Sequence, residues 1–279
     1  MKIIIVGRGE VGSSLSDALT EFDIHPWTMD IDDLTSAEIE RIHPDAIINA
    51  AGKTDLKWCE ENPRETFRCN IEAPVRLYQR ITTHNSSSVK PIRFLHFSSG
   101  CIWDGPYDAT GKPFTPLHPA RPAVFYSWTK AAADQLLLAE DPTSVAILRP
   151  RQIYSARHTT RNTISKLITY PGLVTTPNSM TSMEVIIKTV RFCLVSKDNW
   201  NGVWNIYDPG VTTPFEVGKM LAEAGLRKMP AAIEKSELDA FHKPRRVDTV
   251  LYDDRFEKVI RPEPFEQVIK RTIAQFKSA

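Results

Sequence analysis

The chain has 279 residues, 42% of them hydrophobic and 25% charged, with a formal net charge of +1. That length suits one large α/β domain or a core domain with a smaller companion, and the composition is that of a soluble globular protein. A charge so near zero makes no electrostatic case for nucleic acid or an anionic membrane, and no apolar run approaches the length of a membrane span.

The opening MKIIIVG is too short and too soon interrupted for a signal peptide; it reads as a buried strand over Lys2–Val6. GRGEVG follows at 7–12, and then an amphipathic helix expected from about Glu10 to Phe22. A G-x-G-x-x-G loop between strand and helix is the setting in which such a loop cradles a dinucleotide. Gly7 permits the tight turn, Gly9 lets the backbone approach a pyrophosphate, and Gly12 lets helix and strand pack closely, while the helix N-terminus offers N–H groups to phosphate. Glycines also end ordinary strands, so the flanking elements carry the assignment. The next stretch has room for a stunted strand, IHPWTMD, and a helix, TSAEIERI, with Thr35 as N-cap and Glu38 at N3. Asp30 lies in the range of a ribose-binding acid, which favours NADH, though a helix-entry or adenine-side residue fits equally. Arg8, inside the glycine loop, is a cation where the 2′-phosphate of NADPH would sit. NADPH is the expected cofactor and NADH the alternative.

Further strand-like runs at 45–52, 92–99 and 144–150 alternate with helices, which predicts an α/β fold with a doubly wound parallel sheet of Rossmann type. Ser99 ends the second of these runs, where a hydroxyl can hydrogen-bond a substrate carbonyl. YSWTK at 126–130 opens a long helix, and Tyr126 and Lys130, four apart, share one face of it. A nearby ammonium favours tyrosinate and makes the phenol a proton donor usable near neutral pH. Lys130 is counted among the cofactor contacts as well. A Tyr and a Lys at this spacing also occur on ordinary surface helices, so the pair gains its weight from the glycine loop and the strand-end serine.

After Pro150 the pattern changes to short helices, prolines and loops. Residues 1–150 are expected to form the dinucleotide-binding domain and 151–279 mainly a smaller substrate lobe, with GVWNIY at 202–207 returning to the sheet and EPFEQVIKRTIAQF as an amphipathic closing helix. The four cysteines and seven histidines show neither metal-ligand nor disulfide spacing. No metal is expected, the histidines are left without a role, and the location expected is cytoplasmic.

The glycine loop, Ser99, Tyr126 and Lys130 together resemble the short-chain dehydrogenase/reductase superfamily in its extended, sugar-nucleotide-modifying branch. Dehydratases of that branch carry an Asp-Glu pair directly after the strand-end Ser or Thr; here those positions are Gly100 and Cys101. NAAGKTDLKWCEENPRETFRCN, SSGCIWD, FYSWTK, LRPRQIYS, NTISKLITY and TPNSMTS are similar to the bifunctional NDP-4-keto-6-deoxyglucose 3,5-epimerase/4-reductases of rhamnose synthesis. DLTSAEIERIHPDAIINAAGKT and GVWNIYDPGVTTPFEV look like the 4-keto-rhamnose reductases. The glycine loop departs from that family's usual G-x-x-G-x-x-G by one residue.

The resemblance implies a nucleotide-sugar substrate, UDP favoured over dTDP, and an acid/base pair of Cys101 and Lys166. A 4-keto group acidifies the hydrogens on C3 and C5, so inverting each carbon needs one group to remove a proton and another to return one. It also implies Asn178 at the substrate cleft and Arg245 near the sugar diphosphate. Without the resemblance Cys101 would be a small core hydrophobe, Lys166 a solvated lysine, and Arg245 with Arg246 a basic turn. Two other functions compete with the bifunctional enzyme: a monofunctional 4-keto reductase and a non-catalytic regulatory subunit on the same fold. A homodimer is the assembly left open.

Overall fold

A computed structural model describes residues 1–278. The β-branched run Lys2–Val6 forms β1, followed by α1 (Glu10–Ala18), β2 (Asp23–Trp27), α2 (Ser36–Ile42) and β3 (Ala46–Asn49). Then come α3 (Leu56–Glu61), α4 (Pro63–Phe67), α5 (Ala73–Ser87), β4 (Arg93–Phe97), α6 (Phe125–Glu140) and β5 (Val145–Pro150). The remainder is β6 (Ile153–Tyr154), α7 (Thr163–Thr169), β7 (Gly172–Val174), β8 (Thr181–Ser182), α8 (Met183–Val195) and β9 (Gly202–Ile206). After these follow α9 (Pro214–Glu223), β10 (Ala231–Ile233), α10 (Lys235–Phe241), α11 (Asp254–Ile260) and α12 (Phe265–Ser278).

The main sheet has the order β2-β1-β3-β4-β5-β9. β1 pairs in parallel with both β2 and β3, and the parallel run continues through β4 and β5, with Ile4 opposite Ile47, Ile47 opposite Phe94 and Phe94 opposite Val145. Strands covered on both faces read as nearly continuous apolar runs, and β3 and β5 are buried at every position, with Asn49 and Arg149 as their buried polar members. β2 carries Pro26, which donates nothing to a ladder, and its place at the sheet edge accommodates that. α1 stops at Ala18, four residues short of the expected Phe22. Leu19 leaves the helical region and is wholly buried, and the chain must turn there to bring Asp23 opposite Lys2. α2 begins as its sequence predicts, with Thr35 Oγ1 accepting from the Glu38 N–H. Between α4 and α5, Arg68–Glu72 forms one wider π turn just ahead of Pro74. A proline ring crowds the carbonyl four residues back in an α-helix, and the wider turn relieves that contact.

The chain divides into two units that interleave along the sequence. The first comprises Met1–Ile102, Pro122–Arg149 and Ile187–Trp204; the second comprises Trp103–Arg121, Pro150–Ile186 and the chain from Asn205 onward. The break expected near residue 150 is therefore one of several crossings. The 202–207 segment reaches the sheet as β9. In the first unit, Ile4, Val6, Ile39, Ile47, Leu77, Tyr78, Phe94 and Ile147 build one apolar core between the sheet and its helices. In the second, Tyr154, Leu173, Val217 and Leu221 close on Val268, Ile269, Ile273 and Phe276 of α12, the amphipathic helix expected at the end.

Candidate active site

The glycine loop opens the first unit. Gly7 has φ of +103°, and a Cβ there would lie 2.6 Å from the Ala51 nitrogen; a Cβ on Gly12 would lie 2.0 Å from the Gly7 carbonyl oxygen. Both contacts are with backbone, so the turn from β1 into α1 exists only with glycine at these positions. Gly9 is the N-cap of α1 and supplies no side-chain cap, which leaves the helix end to an external anion. This chain's residues thus fit a dinucleotide pyrophosphate at Gly7–Gly12.

Arg8 is exposed on that loop. Asp30, the other residue expected to read the ribose, is engaged in local structure. Its Oδ1 accepts from the Asp32 N–H at 3.0 Å while Asp33 Oδ2 accepts from the Asp30 N–H, and its Oδ2 pairs with Arg68 at 3.2 Å. The Asp32 N–H and then the Arg68 guanidinium hold the Asp30 carboxyl below its ordinary range. Arg68 also pairs with Asp32, as does Arg76 at 2.8 Å. These contacts are those of a helix-entry residue, one of the three readings of Asp30.

β4 delivers the next group. Ser99 is buried, and its Oγ accepts from the Cys101 N–H at 3.0 Å, which folds Gly100–Ile102 into a tight 3₁₀ turn. Ile102 anchors that turn in the core, whereas Cys101 remains half-buried. α6 starts where Glu60 Oε1 accepts from the Phe125 N–H at 2.8 Å, answering one unpaired donor of its first turn. Tyr126 and Lys130 follow on one face and are both buried. Lys130 Nζ donates to the Phe97 carbonyl at 2.7 Å and lies 3.3 Å from His96 Nε2. Phe97 precedes Ser99 by two residues, so Lys130 ties the end of β4 to the first turns of α6. Asn70 reinforces the joint, donating to Thr129 Oγ1 at 3.1 Å and to the Lys53 carbonyl at 3.0 Å.

Burial pulls the Lys130 amine down to about 8, against the opposing pull of Asp134 on the same helix. Asp134 itself is paired with Arg149 at 2.8 Å, both side chains buried. His96, buried in β4, is held well below the ordinary histidine range by desolvation and by Lys130.

Ser99, Cys101, Tyr126 and Lys130 therefore belong to one unit with the glycine loop and Asp30, whereas Lys166, Asn178 and Arg245 belong to the second. Lys166 is exposed on α7, whose Ile164 and Leu167 are buried. Asn178 is wholly buried. Its Oδ1 accepts from Arg151 at 2.9 Å and from the Thr249 N–H at 3.0 Å, and its Nδ2 donates to Asp248 at 2.6 Å. Those bonds hold the 247–249 strand-like segment in place. Arg245 is half-buried and pairs with Asp104, while Arg246 is exposed beside His242. Sequence reasoning passed over His96, Asn49 and Asn70. The signal for His96 was a lone imidazole in the otherwise apolar strand FLHF.

Among the described residues no group of His, Cys, Asp or Glu side chains could hold a metal ion, and no helix is long and apolar enough to cross a membrane.

A parallel Rossmann-type sheet, a glycine turn at the head of α1, a strand-end serine and a Tyr-x-x-x-Lys helix define a dinucleotide-binding protein of the short-chain dehydrogenase/reductase class. The chain belongs to the NAD dependent epimerase/dehydratase family, whose sequence pattern matches residues 3–171. It is 32% identical over 194 residues to a trifunctional UDP-glucose 4,6-dehydratase/UDP-4-keto-6-deoxy-D-glucose 3,5-epimerase/UDP-4-keto-L-rhamnose-reductase of Arabidopsis thaliana. That match covers 66% of this chain and 27% of the plant protein. A bifunctional dTDP-4-dehydrorhamnose 3,5-epimerase/dTDP-4-dehydrorhamnose reductase of the same plant is 31% identical over 194 residues, 66% of this chain and 60% of the relative. The chain thus spans about a quarter of the one relative and three fifths of the other. Among solved structures, a UDP-rhamnose synthase from Acanthamoeba polyphaga mimivirus shares the fold with a TM-score of 0.88 at 22% identity, over 99% of both chains.

Proposed function

We propose that this chain reduces the C4 carbonyl of an NDP-4-keto-6-deoxy sugar with NADPH after inverting C3 and C5, giving an NDP-L-rhamnose, with UDP favoured over dTDP as the nucleotide. The observation that carries the reading is the turn after β4: the Cys101 N–H is bonded to Ser99 Oγ at 3.0 Å, so a half-buried thiol follows at once on the hydroxyl assigned to the carbonyl. The names of the Arabidopsis relatives support the sugar and the paired activities.

In this reading Ser99 donates to the C4 carbonyl oxygen, and the polarised carbonyl acidifies C3–H and C5–H. For each inversion one of Cys101 and Lys166 removes the proton and the other returns one across the ring, which leaves the base protonated and the acid deprotonated, and proton exchange with solvent resets the pair. Gly7–Gly12 would hold the pyrophosphate of the reduced dinucleotide, which when bound would supply the hydride for C4. Tyr126 gives its phenol proton to the C4 oxygen as charge develops there, and Lys130 stands behind it as the cation that favours the phenolate. Arg245 is assigned to the diphosphate. A monofunctional reductase is the second reading, favoured by the exposure of Lys166 on α7.

The test is NMR of the product formed in deuterium oxide from UDP- or dTDP-4-keto-6-deoxyglucose with NADPH. Deuterium at C3 and C5 of an L-rhamno sugar is the expected result. A reduced sugar without deuterium at those carbons would leave the monofunctional reductase, and no reduction either of these sugars or of the 4-keto sugar already inverted at C3 and C5 would end both readings.

A further inference from the structure

The polarity of one buried hydrogen-bond chain behind Lys130 is fixed at its far end. The Ala51 backbone N–H can only donate, and it donates to Asn49 Oδ1 at 3.1 Å. The Asn49 amide must therefore turn its Nδ2–H₂ the other way, toward His96 Nδ1 at 3.1 Å. A nitrogen facing an N–H₂ donor has to accept, so Nδ1 carries no proton and the neutral imidazole carries its one proton on Nε2. Nε2 lies 3.3 Å from Lys130 Nζ. An ammonium there would set two donors against each other; a neutral amine presents its lone pair to Nε2–H and still donates to the Phe97 carbonyl at 2.7 Å.

We propose that Asn49 locks His96 as the Nε2–H tautomer and that His96 thereby favours the neutral form of Lys130, lowering the pH at which the lysine stops being the cation behind Tyr126, which makes His96 a positioning residue for the proton-donating pair. The inference rests on the reading of Lys130 as part of that pair. A hydrogen bond made to the neutral form of a group disfavours its charged form. Charging Lys130 requires His96 to exchange tautomers against Asn49, or Asn49 to turn over against the Ala51 N–H, and either breaks a bond in the chain. The other groups around Lys130 do not reverse this. Asp134 on its own helix favours the charge but is paired with Arg149 of β5, and Tyr126 on the same face is a phenol. Desolvation acts in the same direction as His96, with Lys130 placed near 8.

Reduction needs a proton on the Tyr126–Lys130 pair, so activity should fall as pH rises through the lysine's titration. His96 sets where that fall lies. The experiment is NMR of the full chain with ¹⁵N-labelled histidine and lysine, native and His96→Phe, together with the pH profile of NADPH oxidation. The expected result is a His96 Nε2–H tautomer from pH 5 to 9, and a Lys130 titration moved up by about one pH unit in His96→Phe, with the alkaline limb of the activity profile moving with it. A native Nδ1–H tautomer, or a Lys130 titration that His96→Phe leaves in place, would overturn the proposal. Should His96→Phe fail to fold, the tautomer in the native chain decides alone. The expected tautomer and titration in a protein that reduces no 4-keto sugar would sustain this inference while ending the functional reading.

Discussion

Cys101 and Tyr126, a short distance apart in sequence, occupy different settings, and the proposed function gives them different work. Tyr126 is buried on α6 together with Lys130, and the task proposed for it is a proton delivered to one oxygen. Cys101 sits in the turn that Ser99 Oγ closes, half-buried, within reach of solvent for exchange. General acid/base groups contribute roughly 10²–10⁴ in rate. Replacing Cys101 by Ala is therefore expected to slow incorporation of deuterium at C3 and C5 by about 10² or more, while reduction of a sugar already inverted at both carbons continues. The two rates are read from one NMR time course with each substrate. Equal loss of both rates would mean that the thiol supports the turn, and loss of neither would return Cys101 to packing.

At the scale of elements, the turn between β1 and α1 depends on backbone meeting backbone. A methyl group on Gly12 would sit 2.0 Å from the Gly7 oxygen, with no flexible side chain able to yield, so α1 would have to move off β1. Overpacking of that kind costs about 1–3 kcal/mol. Gly12→Ala is expected to lower the urea midpoint accordingly and to weaken NADPH binding by about tenfold or more, since 1.4 kcal/mol already corresponds to tenfold. NADPH bound with native affinity by Gly12→Ala would remove this loop from the cofactor site. That loop was readable from spacing alone because its constraint is local: three glycines, one turn, one helix end. Tyr126 and Lys130 were readable for the same reason, four residues apart on one helix. His96 and Lys130 are 34 residues apart and Asn49 and His96 are 47, and no periodicity announces a contact made across two parallel strands and a helix. Asp30 sat at the expected place for a ribose acid, but Asp32, Asp33 and Arg68 gave it a capping and ion-pairing role that strand counting does not reveal. The transfer of Trp103–Arg121 to the second unit was equally hidden, because its members find their partners in Val250 and Tyr252, more than a hundred residues on.

Across the whole molecule the two units carry buried groups whose titrations oppose each other. In the second unit Asp208 is buried and accepts from the Ser182 N–H at 2.6 Å and Ser182 Oγ at 2.8 Å. Burial outweighs those bonds and pushes its carboxyl up to about 7, against about 3.9 in an unfolded chain. Between those values the folded form binds more protons than the unfolded one, so this group's contribution falls as pH rises from 4 to 7 and is constant above. In the first unit Lys130 lies near 8 against about 10.4 unfolded. There the unfolded chain holds more protons, so stability recovers as pH rises from 8 to 10. The windows do not overlap, and these two groups together leave the molecule least stable between pH 7 and 8. Asp208→Asn keeps an acceptor for Ser182 and removes the first titration. Its stability relative to the native chain, measured by urea unfolding of the full chain, is expected to be level near pH 4. The advantage should then grow by on the order of 4 kcal/mol by pH 7 and stay flat above, the equivalent of about three pH units of proton binding. A difference that does not change between pH 4 and 7 would mean that Asp208 titrates as an ordinary carboxyl and that the second unit carries no such burden.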